Sequence, residues 1–214
     1  MTSVIARTSS VFFVLQFLFS GIAVAQSLPE FNSIVNTNDE RSTGDKTFRE
    51  KEDGIYNVLL PEVQASSELR GFESPNRPDY IQDADLTAAW ITGKAGVGEY
   101  VDIIFDLTEN LDTDSALSVN SFFIINGYRL SQELWRNYSR AKKMKMFING
   151  EAVAYINLAD TYKYQTVLIP EHWIMYSQKA VIRFEIVELY PGDKFPNVAI
   201  GELQFMGNYP GKRN

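Results

Sequence analysis

His172 is the single histidine of this 214-residue chain, and cysteine is absent. A Cys–His pair, an HExxH helix, a multi-histidine zinc site and a thiolate metal site all need side chains the sequence does not supply. A Ser–His–Asp triad would have to use His172, which sits between Glu171 and Trp173, yet no GxSxG elbow presents a serine. Residues 93–98 (GKAGVG) lack the strand-to-helix setting of a phosphate-cradling loop. Paired carboxylates for glycoside hydrolysis stay open, because 27 acidic residues make any chosen pair uninformative.

Binding chemistry is better represented. Asp83 and Asp85, spaced i, i+2 with Thr87 behind them, offer the oxygens a hard cation such as Ca²⁺ collects. The same spacing also builds an Asx-type turn, in which the aspartates bond nearby backbone N–H groups, and spacing alone favours that turn. Glu99 opens an apolar run after Gly96-Val97-Gly98. Asn126-Gly127-Tyr128 ends another run and enters a loop with Trp135, Asn137, Tyr138 and Arg140. Aromatic faces stack on the C–H faces of sugars while amide and guanidinium groups fix hydroxyls, so Asn126, Tyr128, Trp135, Tyr138, Arg140 and Glu99 are the candidate ligand contacts. The alternative is that Asn126-Gly127 is a plain turn and Trp135 packs beneath its loop. Asn137-Tyr138-Ser139 is an N-glycosylation sequon, meaningful in a eukaryotic secretory route. Residues 200–205 (IGELQF) place one carboxylate, Glu202, in an otherwise apolar strand pattern, and Glu202 joins Asp83 and Asp85 as a candidate metal ligand.

These residues need elements to hold them. Residues 1–25 read as a secretory signal: Arg7, then an apolar stretch over 11–24, then Ala23-Val24-Ala25 ahead of the cleavage point. The stretch is about fourteen residues, short of the roughly 20 a spanning helix needs, so no transmembrane span is expected after cleavage. Residues 26–54 are polar, mixed in charge and without periodicity, and read as a mobile arm. From about residue 55 the chain changes character. Runs at 100–105, 118–126, 145–148, 152–158, 166–169, 181–187 and 198–205 are rich in Val, Ile, Phe and Tyr, and several alternate apolar with polar. Asn149-Gly150 signals a hairpin and Pro191-Gly192 a turn. The expected fold is all-β, one sandwich or barrel over 55–208 with a tail at 209–214.

Composition narrows the partners. A net charge of −7 becomes one unit more negative once Arg7 is removed, and such a surface repels phosphate backbones. The basic run Arg140, Lys142, Lys143 is too short to reverse that. No disulfide or lipid-modified cysteine supports the exported domain, which suits a bacterial exported protein held by its core and by a bound metal.

In order, Ala65-Ser66-Ser67-Glu68-Leu69, Asp83-x-Asp85 through Trp90, Gly96-x-Gly98-Glu99-Tyr100, Ile125-Asn126-Gly127-Tyr128, Arg140-x-Lys142-Lys143, Tyr164-Gln165 and residues 200–205 form a succession. It resembles the discoidin-like jelly-roll domain at the N-terminus of secreted bacterial NAD glycohydrolases, described as glycan-binding. The resemblance implies a galactose-binding-like β-sandwich with a recognition end, a structural calcium at Asp83, Asp85 and Glu202, and no NAD hydrolysis, which belongs to a separate domain in that family. This chain has Ala84 and Ala88 where the family tends to place glycine and threonine. The expectation is an exported, non-catalytic protein, secreted or in the cell envelope, that binds a glycan or a host or cell-surface ligand in the manner of an adhesin. The alternatives are an envelope assembly protein docking a protein partner and a hydrolase using paired carboxylates.

Overall fold

The structure is a computed structural model and describes residues 27–36, 61–71, 76–83, 85, 87–106, 117–169, 174–175 and 179–208. Strands β1 (Glu30–Asn32), β2 (Ile34–Val35) and β3 (Glu62–Ala65) come first. A 3-10 turn (Pro78–Gln82) leads to β4 (Trp90–Ile91), β5 (Tyr100–Asp106) and β6 (Leu117–Asn126). Helix α1 (Gln132–Asn137) precedes β7 (Tyr138–Ile148), β8 (Glu151–Asn157), β9 (Gln165–Leu168) and β10 (Ile174–Met175). The two longest strands, β11 (Lys179–Tyr190) and β12 (Phe195–Asn208), close the described chain.

Two sheets result. One runs β3-β5-β11-β7-β8-β1, antiparallel except for the last pair. The other runs β2-β9-β6-β12-β4, with β10 also beside β6, and is antiparallel throughout. The start of β12 lies parallel to β7, Phe195 against Tyr138 and Val198 against Ser139, before the strand passes into the second sheet. The fold is therefore the expected all-β jelly-roll sandwich.

The period-two pattern of β11 explains how the sheets meet. Ala180, Ile182, Phe184 and Ile186 are buried while Lys179, Arg183 and Glu185 face outward. Register sets Ile182 between Ile103 and Ile148, and Phe184 between Val101 and Met146. Across the interior, Phe184 meets Phe122 edge-on at 5.1 Å between centroids, and Phe105 meets Phe205 at 5.4 Å. Each ring removed from water contributes about 1.5–3 kcal/mol, and edge-to-face contact adds to that. Trp90 is 0% exposed in the same core, its indole N–H donating to Ser67 O at 2.8 Å. Asn149 (φ 51°) and Gly150 (φ 86°) turn β7 into β8 as the positive-φ pair of a tight hairpin.

Two expectations need correction. The polar arm is ordered over 27–36: β1 lies parallel to β8 and β2 antiparallel to β9. The six residues from Glu30 to Val35 cannot hold strand geometry alone, and here the pairing comes from sheet edges distant in sequence. Strand β7 begins at Tyr138, so Tyr138 and Arg140 belong to a strand, with α1 before it, rather than to the loop that follows Tyr128. The signal segment 1–25, residues 37–54 of the arm, Ala84, His172 and the tail 209–214 lie outside the described residues. No helix among the described residues is long and apolar enough to cross a membrane.

Candidate functional site

Four connections gather at one end of the sandwich: residues 92–99, 127–137, 158–164 and 191–194. Backbone bonds tie them together, Asp193 N–H to Arg136 O at 2.9 Å and Lys194 N–H to Asn137 O at 3.1 Å. Side chains add Tyr162 Oη to Arg129 O at 2.9 Å, Tyr190 Oη to Leu158 O at 3.0 Å and Asn197 Nδ2 to Thr92 O at 2.7 Å. A rigid scaffold thus presents one continuous set of loops, the usual place for binding residues.

The sequence-predicted contacts do come to this end, but most of their polar groups are used by the protein itself. Asn126 is 1% exposed; its Nδ2 donates to Ala141 O at 2.7 Å and its Oδ1 accepts from Ala141 N–H at 3.0 Å. That reciprocal pair fastens the end of β6 to β7. Arg140 is 6% exposed and joins two of these connections to the start of β7. Its Nη1 donates to Trp135 O (2.9 Å) and Tyr138 O (2.8 Å), while Nε and Nη2 grip Asp160 at 2.6 and 3.2 Å. Its guanidinium also lies 4.3 Å from the Trp135 ring centroid.

Trp135 is half-buried on α1, a helix capped by Ser131 Oγ accepting from Leu134 N–H at 3.1 Å. Its indole N–H donates to Asn126 O at 2.9 Å and Tyr162 packs edge-on at 5.9 Å. Gly127, at φ 115°, lies so close that a Cβ there would overlap the Trp135 ring. The packed-under-its-loop alternative is the one observed. Tyr128 is 4% exposed, in a small core with Ala89, Ile91 and Ala199. Glu99 is 6% exposed, and its carboxylate accepts from Ser66 Oγ at 2.7 Å and from Ser67 Oγ. Those hydroxyls in turn accept from Tyr100 N–H and Gly93 N–H, so Glu99 locks the exit of β3 to the 92–99 loop. Asn126, Tyr128, Arg140 and Glu99 are corrected from ligand contacts to loop supports, because satisfying a buried polar group internally leaves little for a ligand. The sequon is sealed too: Asn137 is 6% and Ser139 1% exposed.

What faces solvent is different. Tyr138 is half-buried with its ring 4.7 Å from that of Phe195, which is 40% exposed. Loss of water around Tyr138, and secondarily Tyr128 beside it, holds its hydroxyl above the usual tyrosine range. Leu130 and Val97 stand 50% and 57% exposed on the neighbouring loops. Phe195 was not singled out in the sequence; its one signal was an aromatic between the Pro191-Gly192 turn and an apolar strand.

Asp83 and Asp85 form the Asx turn. Asp83 Oδ1 accepts from Asp85 N–H at 2.7 Å, and Asp85 Oδ1 from Thr87 N–H and Oγ1 at 2.8 and 2.6 Å. The Thr87 hydroxyl, then its N–H, holds the Asp85 carboxyl below its usual range. Loss of water beside Asp83 raises its carboxyl, opposed by the Asp85 N–H. Glu202, 2% exposed, accepts from Gln204 Nε2 at 2.8 Å. Among the described residues no group of three acidic or histidine side chains comes within metal-ligating reach, so the expected trio of carboxylates is not assembled.

No curated protein matches the chain in sequence. Solved structures similar to it include the CBM32-1, CBM32-2 and M60 catalytic domains of Clostridium perfringens ZmpB, at 11% identity and TM-score 0.53 over 87% of this chain and 18% of that one. The CBM32-1 and CBM32-2 domains of the same protein in complex with GalNAc give 9% and 0.51 over 86% and 41%. A further structure of the same two domains gives 12% and 0.50 over 86% and 43%. This chain spans less than half the length of each, and at such identities the likeness is one of fold. Residues 55–206, nearly the whole sandwich, match the family model of the NAD glycohydrolase translocation F5/8 type C domain, and the chain belongs to that family.

Proposed function

We propose that this chain is an exported, non-catalytic binding protein that engages a glycan or cell-surface ligand through the loop end of its sandwich. The observation that carries the reading is an internally braced set of loops from which Phe195, stacked on Tyr138, faces solvent. An exposed ring on a rigid base loses little conformational freedom when a sugar face stacks on it. Two comparisons support the choice of ligand class: the family's printed link to NAD glycohydrolase translocation, and a GalNAc complex of one similar structure. A glycan array that also carries extracellular-matrix proteins tests it. Phe195→Ala is expected to weaken the bound ligand at least about tenfold, about 1.4 kcal/mol, with the melting temperature nearly unchanged. Equal binding by the variant removes Phe195 from the reading. The apolar side chains Leu130, Val97 and Phe195 favour a second reading, a protein partner, and capture of matrix proteins with no glycan hit would select it.

A calcium ion near the acidic turn is part of the same proposal. Its support is one buried atom: Gln82 Oε1 finds no hydrogen-bond partner among the described residues, while Gln82 Nε2 donates to Leu203 O beside Glu202. A cation that binds only the folded state raises stability by mass action, about 2.7 kcal/mol at a hundredfold excess over Kd. Thermal scans in millimolar calcium and in chelator should therefore differ. Coincident midpoints remove the ion.

A further inference from the structure

The segment 27–36 does more than cover an edge. Glu30, Phe31 and Asn32 pair with Tyr155, Ile156 and Asn157 in one sheet; Ile34 and Val35 pair with Thr166 and Gln165 in the other. Phe31 packs against the core, and Lys143 and Asn157 hold the Glu30 carboxylate at 2.7 and 3.0 Å. Between its two strands this strap directs one side chain inward. Ser33 Oγ donates to Gln165 Oε1 at 2.6 Å and accepts from Ala159 N–H at 3.2 Å.

Gln165 is 0% exposed and closes the 158–164 loop with its side chain. Its Oε1 accepts from Ala159 N–H at 2.7 Å and its Nε2 donates to Ala159 O at 3.0 Å. The amide therefore imitates a backbone pair across the base of the loop. Beyond that base stand Asp160, which grips Arg140, and Tyr162, which abuts Trp135 and donates to Arg129 O. Contacts thus run without a break from the strap through Ser33, Gln165 and Ala159 to the two side chains that brace the ligand end.

We infer that the N-terminal strap is a positioning element for the ligand end, with Ser33 and Gln165 as the residues through which its docking sets the 158–164 loop. The ligand part rests on the proposed function; the loop part does not. A short edge strand is the segment most easily opened, and by linkage a ligand that needs the ordered loop also favours the docked strap.

Native-state hydrogen exchange on the full-length protein tests this, comparing the wild type with Ser33→Ala and Ser33→Thr. One hydrogen bond's net worth corresponds to roughly fivefold faster exchange in the 158–164 peptide of Ser33→Ala, with the β11 peptides unchanged and protection restored in Ser33→Thr. Unchanged loop protection in Ser33→Ala overturns the inference, as does equal loosening of the loop and β11. A parallel arm measures binding to immobilised GalNAc, where Ser33→Ala should be several-fold weaker than wild type and Ser33→Thr close to it. Absence of GalNAc binding by the wild type counts against the proposed ligand alone, and the exchange arm still decides the strap's role.

Discussion

Trp90 and Trp135 show that a residue's type does not fix its job. Trp90 is 0% exposed amid aliphatic side chains, whereas Trp135 is half-buried and held by Asn126 O and the Arg140 guanidinium. The order of destabilisation should follow burial. Trp90→Ala is expected to cost about 3–5 kcal/mol or to unfold the domain, and Trp135→Ala somewhat less, about 2–3 kcal/mol. Arg140→Ala belongs with them: it removes the ion-pair partner of Asp160 and one donor from each of two backbone carbonyls, at about 2–3 kcal/mol. Urea denaturation of the three variants checks the order. A stable Arg140→Ala protein that has lost only ligand binding would restore Arg140 to the contact surface.

At the scale of elements, the strap departs furthest from its sequence appearance. Its exposed ion pair is pH-sensitive in a defined direction. Hydrogen bonds from Lys143 and then Asn157 hold the Glu30 carboxyl below its ordinary value, and the bond to Glu30 raises Lys143. A carboxyl lowered on folding stabilises above its unfolded pKa and loses that contribution as pH falls through the lowered, folded value. The Phe31 amide resonance is therefore expected to shift in a step below the usual glutamate range near pH 4.3, ahead of any change in β11. Simultaneous change of strap and core would show that the strap does not titrate as a separate unit. The strap was illegible because Glu30, Asn32 and Ser33 carry no apolar period; their partners are side chains and edges more than a hundred residues away.

For the whole molecule, the export reading makes a physical prediction about the start of the mature chain. Cleavage after Ala25 leaves Gln26 as the first residue, four positions before β1, and so keeps the strap complete. Intact-mass measurement on protein recovered outside the producing cell should show the chain from Gln26 onward. A mass that retains residues 1–25 rejects cleavage. One that starts beyond Asn36 shows a protein exported without its strap.

The sequence alone determined the fold class, since alternating runs such as 181–187 and the Asn149-Gly150 turn are local signals with local causes. It also determined which chemistries are missing, because an absent cysteine or a single histidine needs no geometry to interpret. The Asx turn at Asp83 and Asp85 was likewise legible from short-range context. The tertiary structure decided which polar groups are spent. Asn126, Arg140 and Glu99 look like recognition residues until Ala141, Asp160 and the Ser66-Ser67 pair arrive from distant segments and consume their hydrogen bonds. It decided equally that Phe195 reaches solvent while Tyr128 does not. A side chain's hydrogen-bonding capacity is written in its type, but whether that capacity is left for a ligand depends on partners that only folding brings within about 3 Å.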